Sequence, residues 1–463
     1  MSVLPPNVSY YMSRMQGVST SHFKIFPQSA NTGGPSKIVR FELPSNVLCN
    51  LKSTRFFFNL ATTGSGSVVP DDVSSLIDRI AIYAGGVLIQ NGFQGYNSLV
   101  HAKSALMGSK CGATLGHPEI VRNKSYHSGA TAIGNTDSEA YTDLNEQLCI
   151  DNWEGLLGSI EPSIIDLGLL PQITIEIHLA DGTVCPIVEG RVLPSGTGTV
   201  ANNFDKVGSG TPSYEMTNMS MQVEVIGMAT SVLDQITEQR MASVGYLSLP
   251  FKNYFTTIAS HTTATRFNVN SASWDRLWLA WRETTYTNKS APVIVNGYKK
   301  SGAFVDDVSG QTAADIDIGL PQYDEGGVFD TNKEKYKSNY FNYKLVTTSG
   351  TPTLQLQLNG ANVPAYRLTV PEAYAMSVNS IDSYRKDHQL TLDQYKNNYF
   401  VQCFRFSLPD SDFNRMASGL DCRSISTQGS VVTEAINQCN LHLFAECSSE
   451  LRVGVGRSIE VVV

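Results

Sequence analysis

Apolar and polar residues alternate along much of this chain with a period of two. In Gln172–Leu179, Ile173, Ile175, Ile177 and Leu179 alternate with Gln172, Thr174, Glu176 and His178. Successive side chains of a strand point to opposite faces, so this segment predicts a strand with one face in a core and one in water. The pattern recurs at Val39–Leu43, Met221–Val225, Leu354–Asn359, Cys403–Leu408 and Leu451–Val455. Such alternation belongs to antiparallel sheets in sandwiches, because parallel sheets covered on both faces read as continuous apolar runs. Helical spacing is rare. Tyr96, Leu99, Ala102 and Leu106 predict a helix over Tyr96–Met107, Pro371 opens another that runs to Tyr384, and Ser231–Met241 makes a third, short one.

The first two helices sit in matching contexts. Leu76–Tyr83 reads as a strand, followed by Gly85-Gly86, the short strand Val87–Ile89 and the helix with Tyr96. Leu354–Leu358 reads as a strand, followed by Asn359-Gly360, Ala361–Val363 and the helix with Tyr374. One order of elements occurring once per half predicts two copies of one domain. Their junction is placed in Ser231–Gly245, after the strand Met219–Ile226 and before new strands at Val244–Leu249, Thr265–Val269 and Asp275–Trp281. Ser109–Ile160, Gly182–Ser213 and Thr284–Ser338 lack clear periodicity and predict long loops, a length usually tied to function or interfaces.

Composition narrows the class. A chain of 463 residues accommodates two all-β domains of about 230 residues. Charged residues are 16%, against about 25% in an average protein, with 20 Tyr and 19 Phe. This suits an all-β protein and excludes a disordered chain, a coiled coil and collagen. The net charge of −8 speaks against nucleic acid as the main ligand. Arg14, Lys24, Lys37 and Arg40 nevertheless all precede the first acid, Glu42, which predicts an N-terminal arm lying near something anionic. None of the eight cysteines forms a C-x-x-C pair, so they read as small buried thiols of a reducing compartment. Met1–Gln16 has no apolar leader and no run of 18 apolar residues occurs, so no membrane-spanning segment is expected. Four N-x-S/T triplets, at Asn7, Asn123, Asn218 and Asn288, then read as chance matches.

Motifs that carry chemistry are missing. There is no P-loop, G-x-G-x-x-G, H-E-x-x-H or G-x-S-x-G. His178 and His442 lie on strands and read as structural or surface histidines. The acidic stretch Asp306, Asp307, Asp315, Asp317, Asp324 and Glu325 fails the EF-hand spacing: counted from Asp315, the sixth residue is Leu320 and the twelfth Gly326. It reads as a solvated loop. Trp274, Trp278 and Trp281 read as sandwich core, with Trp274 and Trp278 on one face. Were they an exposed strip, they and the acidic loop would make a carbohydrate-binding or carbohydrate-cleaving β-sandwich protein, which is the alternative reading. No catalytic, cofactor-binding or metal-ligating residue is singled out, no cofactor is expected, and the chain does not read as an enzyme.

Several stretches carry a resemblance. Phe23–Phe26 through Val39–Leu43, the strand and glycine turn Leu76–Gly86, the segment Val223–Ile226 followed by Leu233-Asp234 and Glu238–Arg240, and the ending Leu441–Glu446 with Leu451–Val453 resemble the double jelly-roll major capsid proteins of double-stranded DNA viruses. The compact length is similar to the forms in polinton-like viruses, virophages and small algal viruses. The resemblance covers the chain from about residue 20 to its end. It implies an all-β fold of two tandem jelly-roll sandwiches, each with a short helix and long surface loops. It divides the chain into an arm at 1–20, a first jelly roll at 21–235 and a second at 236–463. It further implies a major capsid protein whose pseudo-hexameric homotrimers tile an icosahedral shell. Neighbouring capsomers, penton and minor capsid proteins would be its partners. The arm would make weak contact with an anionic interior, with no specific nucleic acid bound and no membrane crossed. The protein would be made in the host cytoplasm and reside in the virion, with Thr284–Ser338 facing outward.

Overall fold

The alternating segments become strands where the pattern marks them. The computed structural model describes residues 19–62, 73–90, 94–107, 143–185, 199–200, 213–227, 242–283, 298–300, 303–305, 311–312, 343, 345, 352–381, 392–397, 399–400, 401–408, 419–423, 427–434, 436 and 439–463. The acidic residues Asp306, Asp307, Asp315, Asp317, Asp324 and Glu325, residues 1–18, Cys111, the expected helix at 231–241 and most of the three expected loops lie outside the described residues.

In the first half the strands are β1 (Ser19–Ile25), β2 (Ile38–Glu42), β3 (Leu48–Thr62), β4 (Ile77–Ala84), β5 (Val87–Gln90), β6 (Asp143–Ile150), β7 (Ile164–Asp166), β8 (Ile173–Leu179), β9 (Thr199–Val200) and β10 (Tyr214–Gly227). The second half holds β11 (Tyr246–His261), β12 (Ala264–Val269), β13 (Trp274–Glu283), β14 (Tyr298–Lys300), β15 (Ala303–Val305), β16 (Gln311–Thr312), β17 (Thr353–Leu358), β18 (Ala361–Thr369), β19 (Val401–Arg405), β20 (Thr427–Thr433), β21 (Cys439–Gly454) and β22 (Ile459–Val462). The helix Tyr96–Met107 follows β5, and the helix Val370–Ser380 follows β18.

Four sheets carry the architecture. The first half makes β1-β10-β3-β6, with β7 beside β3, and β2-β8-β4-β5. The second makes β11-β21-β13-β19, with β22 beside β21, and β12-β20-β17-β18. Substituting β11, β12, β13, β17, β18, β19, β20 and β21 for β1, β2, β3, β4, β5, β6, β8 and β10 turns the first pair of sheets into the second, strand for strand. The helices fall at the same place in both series, after β5 and after β18. The paired hairpins are alike in detail. Ala84 faces Val87 across Gly85-Gly86, and Leu358 faces Ala361 across Asn359-Gly360. All four turn residues have positive φ, between 49° and 86°, the geometry that matches the twist of the flanking strands. The second helix starts cleanly, because Thr369 and Glu372 form a capping box and Pro371 sits in its first turn.

Each sandwich closes over its inner faces. Phe41 and Phe56 meet edge to face at 5.7 Å in the first, amid buried Phe58, Ile175, Ile177, Met221 and Val223. In the second, Trp281 packs on Phe400 at 5.4 Å and Phe267 on Trp274 at 6.2 Å. Opposite Phe267 on the neighbouring strand is Gly429, over which the phenyl ring lies so closely that a Cβ there would enter the ring. Gly429→Ala should therefore lower stability by about 1–3 kcal/mol through overpacking. The test is a urea midpoint, and an unchanged midpoint would show that the ring swings away freely.

The three expected loops are not loop throughout: Ser109–Ile160 contains β6 and a one-turn helix, Leu156–Ser159, Gly182–Ser213 contains β9, and Thr284–Ser338 contains β14, β15 and β16, while the helix expected to reach Tyr384 ends at Ser380.

Candidate functional site

β13 holds a bulge between Trp274 and Arg276, where its register against β21 shifts. A bulge adds a residue and reverses the alternation beyond it. Trp274 therefore faces the core, against Phe267 and Phe406. Trp278 faces the other way, and its indole N–H donates to Glu446 Oε2 at 2.9 Å. The two tryptophans do not share a face, contrary to the sequence reading, although all three of Trp274, Trp278 and Trp281 are buried, at 0%, 2% and 0% exposure. No aromatic strip is open to a sugar there.

The outward face of β11-β21-β13 is covered by the first half of the chain. It presents Tyr254, Arg276, Trp278, Arg282, His442, Phe444 and Glu446, all buried. Against it lie the helix Tyr96–Met107 and the turn after β6. Lys103 Nζ donates to Glu154 Oε2 at 2.6 Å and to Tyr254 Oη at 3.0 Å, and Tyr254 donates to Glu154 Oε2 at 2.8 Å. The ammonium also stands 5.4 Å from the Tyr254 ring centre and 5.7 Å from that of Trp278, within cation–π range. Backbone bonds stitch the seam further: Glu161 N–H donates to Pro250 O at 2.9 Å and Lys252 N–H to Ser159 Oγ at 2.7 Å. Tyr343 Oη donates to Ser98 O at 3.2 Å. Gly95, with a φ of 80°, lies in van der Waals reach of His442, Ile258 and Phe444.

Charge is balanced within this seam. Arg276 NH1 donates to Glu446 Oε1 at 3.0 Å, with both side chains below a tenth exposed. Burial alone would raise the Glu446 carboxyl, but Arg276, Lys103, Lys252 and the Trp278 N–H outweigh it and hold the group down at about 2. Burial, followed by the Glu154 charge, pushes the Tyr254 phenol well above its usual value. A cavity of about 430 Å³ opens here, lined among others by Lys52, Lys103, Glu154, Lys252, Arg276 and Glu446. Each of these charges already has a partner in the protein, Lys52 on Glu161 and Lys252 on Asp275 included. The arrangement ties the helix of the first half to the sheet of the second, and the charges named here are spent on one another.

The remaining sequence candidates are dispersed. His178 is half-buried between Arg79 and Glu176. His442 is a buried histidine of the seam, with neither ring nitrogen hydrogen-bonded. Among the described residues seven cysteines are buried, and burial raises the thiols of Cys49, Cys149 and Cys447 to about 12. Among the described residues no group of three or more His, Cys, Asp or Glu could hold a metal ion. No helix among them is long and apolar enough to cross a membrane.

No protein-family model matches the sequence, and no curated protein shows significant similarity to it. Solved structures do match along nearly the whole chain. VP54 of the virus PBCV-1, as fitted into a reconstruction of the virophage Sputnik, aligns over 96% of this chain and 97% of its own, at 12% identity and a TM-score of 0.53. The Faustovirus major capsid protein aligns over 94% and 91%, at 9% identity and a TM-score of 0.50. The chain has the double jelly-roll fold. In this double jelly roll the seam joins the first roll's helix to the second roll's sheet. Sequence reading missed it, though one signal was there: Arg276 and Arg282 flank the apolar run Leu277–Trp281, and His442 and Glu446 interrupt or end the run Leu441–Ala445.

Proposed function

We propose that this chain is the major capsid subunit of a double-stranded DNA virus, and that three copies form a pseudo-hexameric capsomer of an icosahedral shell. The observation that carries the reading is the strand-for-strand repetition of one jelly roll. Three chains with two equivalent lobes each supply six lobes, and six lobes tile a hexagonal lattice. The rigid, charge-balanced seam supports it as well, because a shell needs a subunit of fixed shape and no catalytic group. The division into an arm at 1–20 and rolls at 21–235 and 236–463 belongs to this proposal. So do residence in the virion, synthesis in the host cytoplasm, and contacts with neighbouring capsomers, penton and minor proteins. The basic arm would follow the inner face and the acidic stretch 306–325 the outer, since like charge repels packaged nucleic acid. Light scattering of the purified protein should give three times the 50.5 kDa chain mass, with hexagonal outlines in negative stain. A monomer at every concentration would sink the reading.

A further inference from the structure

The seam between the two rolls changes character along its length. Successive rows across β11, β21 and β13 show the gradient. Tyr254–Glu446–Arg276 is charged and is tied to Lys103 and Glu154 of the first roll. Next come Thr256–Phe444–Trp278 and then Ile258–His442–Ala280, so that His442 stands in the apolar part. Over it lies the start of the first roll's helix. A Cβ on Gly95, the residue before Tyr96, would stand 3.6 Å from His442 Nδ1, 3.6 Å from Ile258 Cδ1 and 3.8 Å from Phe444 Cε1.

His442 is 2% exposed, with neither ring nitrogen hydrogen-bonded. A neutral imidazole can occupy such a place, but an imidazolium there would be a buried charge without a hydrogen-bond acceptor. Two positive fields add to that cost. Arg282, two residues beyond Ala280 on β13, sets its charge against the ring. The helix Tyr96–Met107 brings its N-terminal end, the positive pole of its dipole, to the same spot. The carboxylates of the seam are engaged with other groups: Glu446 with Arg276, Glu154 with Lys103, and Asp78 with the Gly95 N–H and the Arg282 charge. The helix's own titratable side chains are Tyr96, which accepts the Glu154 N–H, half-buried His101, and Lys103. Tyr343, bridged to Arg282 through the backbone, donates its hydroxyl to Ser98 O.

We propose that the contact of Gly95 with His442 is an acid-released latch: a proton on His442 parts the N-terminal turn of the first roll's helix from the second roll's sheet, while the Lys103 end of the same helix stays bound. The sign follows from the placement. Burial first, and then the Arg282 charge, hold the imidazole well below 6.5 while the seam is closed. Opening that end admits water and returns the group toward its ordinary value. The open form therefore takes up a proton that the closed form refuses, and its share grows as pH falls below 6.5. Asp78 opposes the opening, because burial raises its carboxyl and makes the closed form the better proton acceptor there. Glu446 is held at about 2, so the charged end keeps its ion pair over this range.

Hydrogen exchange of the full chain, followed by mass spectrometry at about pH 7.5 and about pH 5 with intrinsic rates corrected, tests the latch. A parted turn loses its shelter and frays, and the first helical bond to go is Leu99 N–H to Gly95 O. Amides of Leu99–Ala102 should exchange about tenfold faster at the lower pH, while those of β13 and β21 keep their protection. His442→Leu should remove the pH dependence of the helix. His261→Asn, which removes a buried imidazole away from the helix, should keep it. Helix exchange that is the same at both pH values, or that rises equally in His442→Leu, would overturn the latch. A rise shared by β13 and β21 would overturn it too, since the whole roll would then be loosening. If His442→Leu does not fold, the comparison of helix with strands in the unaltered protein decides.

Discussion

Replacing Glu446 by alanine should destabilise the protein by about 3–5 kcal/mol, among the largest losses available to a single substitution here. Glu446 is 3% exposed and accepts from both Arg276 and Trp278. Without it the buried Arg276 guanidinium loses its carboxylate partner, and the indole N–H loses its acceptor. An uncompensated buried charge costs far more than a lost surface ion pair, which is worth about 0–1 kcal/mol. Glu446→Gln should cost less, since the amide still accepts from Trp278. Replacing both partners, Arg276→Met with Glu446→Leu, should recover much of the loss. Equilibrium urea denaturation measures all three, and a loss under about 1 kcal/mol for the alanine variant would mean that water reaches the pair.

The second large effect is loss of stability in mild acid. His261 is buried, hydrogen-bonded to Thr265 and Thr433 at 2.7 and 2.9 Å, and burial lowers its pKa from 6.5 to about 4. His442 is lowered well below 6.5, by burial first and then by the Arg282 charge. Between the folded and unfolded pKa values the unfolded chain binds more protons, so stability rises with pH in that window. The contribution is therefore complete above 6.5 and is lost as pH falls toward 4, up to about 3 kcal/mol for His261. Glu446 extends the decline, its contribution present above the usual carboxyl value of 4.5 and lost as pH falls through about 2. Asp78 works in the opposite direction, because burial raises its carboxyl, but it is one group against three. The melting temperature should fall steadily from pH 6.5 to 4, and less steeply in His261→Asn. A flat profile over that range would contradict the burial of both imidazoles.

The sandwich strands were legible because most of them have one wet face. Ile173–Leu179 alternates buried and half-buried without exception, as its sequence does. The hairpins were legible from Gly85-Gly86 and Asn359-Gly360, where the chain needs positive φ. What escaped has a physical reason in each case. The bulge at Arg276 inverts a face without changing composition, so Trp274 and Trp278 looked alike. β19 was legible as a strand from the alternation at Cys403–Leu408, but not its second buried face: from Val401 to Phe404 every residue is buried, because the helix Val370–Ser380 packs on it. The seam escaped because contacts between Lys103 and Tyr254, or Arg276 and Glu446, join residues far apart in the chain, and alternation reports only whether a face is wet.

The double cover of β11-β21-β13 sets an order of events during synthesis. On its own, the second roll would present Trp278, Tyr254, Phe444 and an arginine–glutamate pair to water, a sticky surface for a newly made chain. The first roll leaves the ribosome earlier and needs no such shelter, since the outward face of its own sheet is polar. A cover joined to the second roll by a linker acts at high local concentration. In the folded chain, that apolar face of the C-terminal copy is covered by the N-terminal copy to which it is tethered.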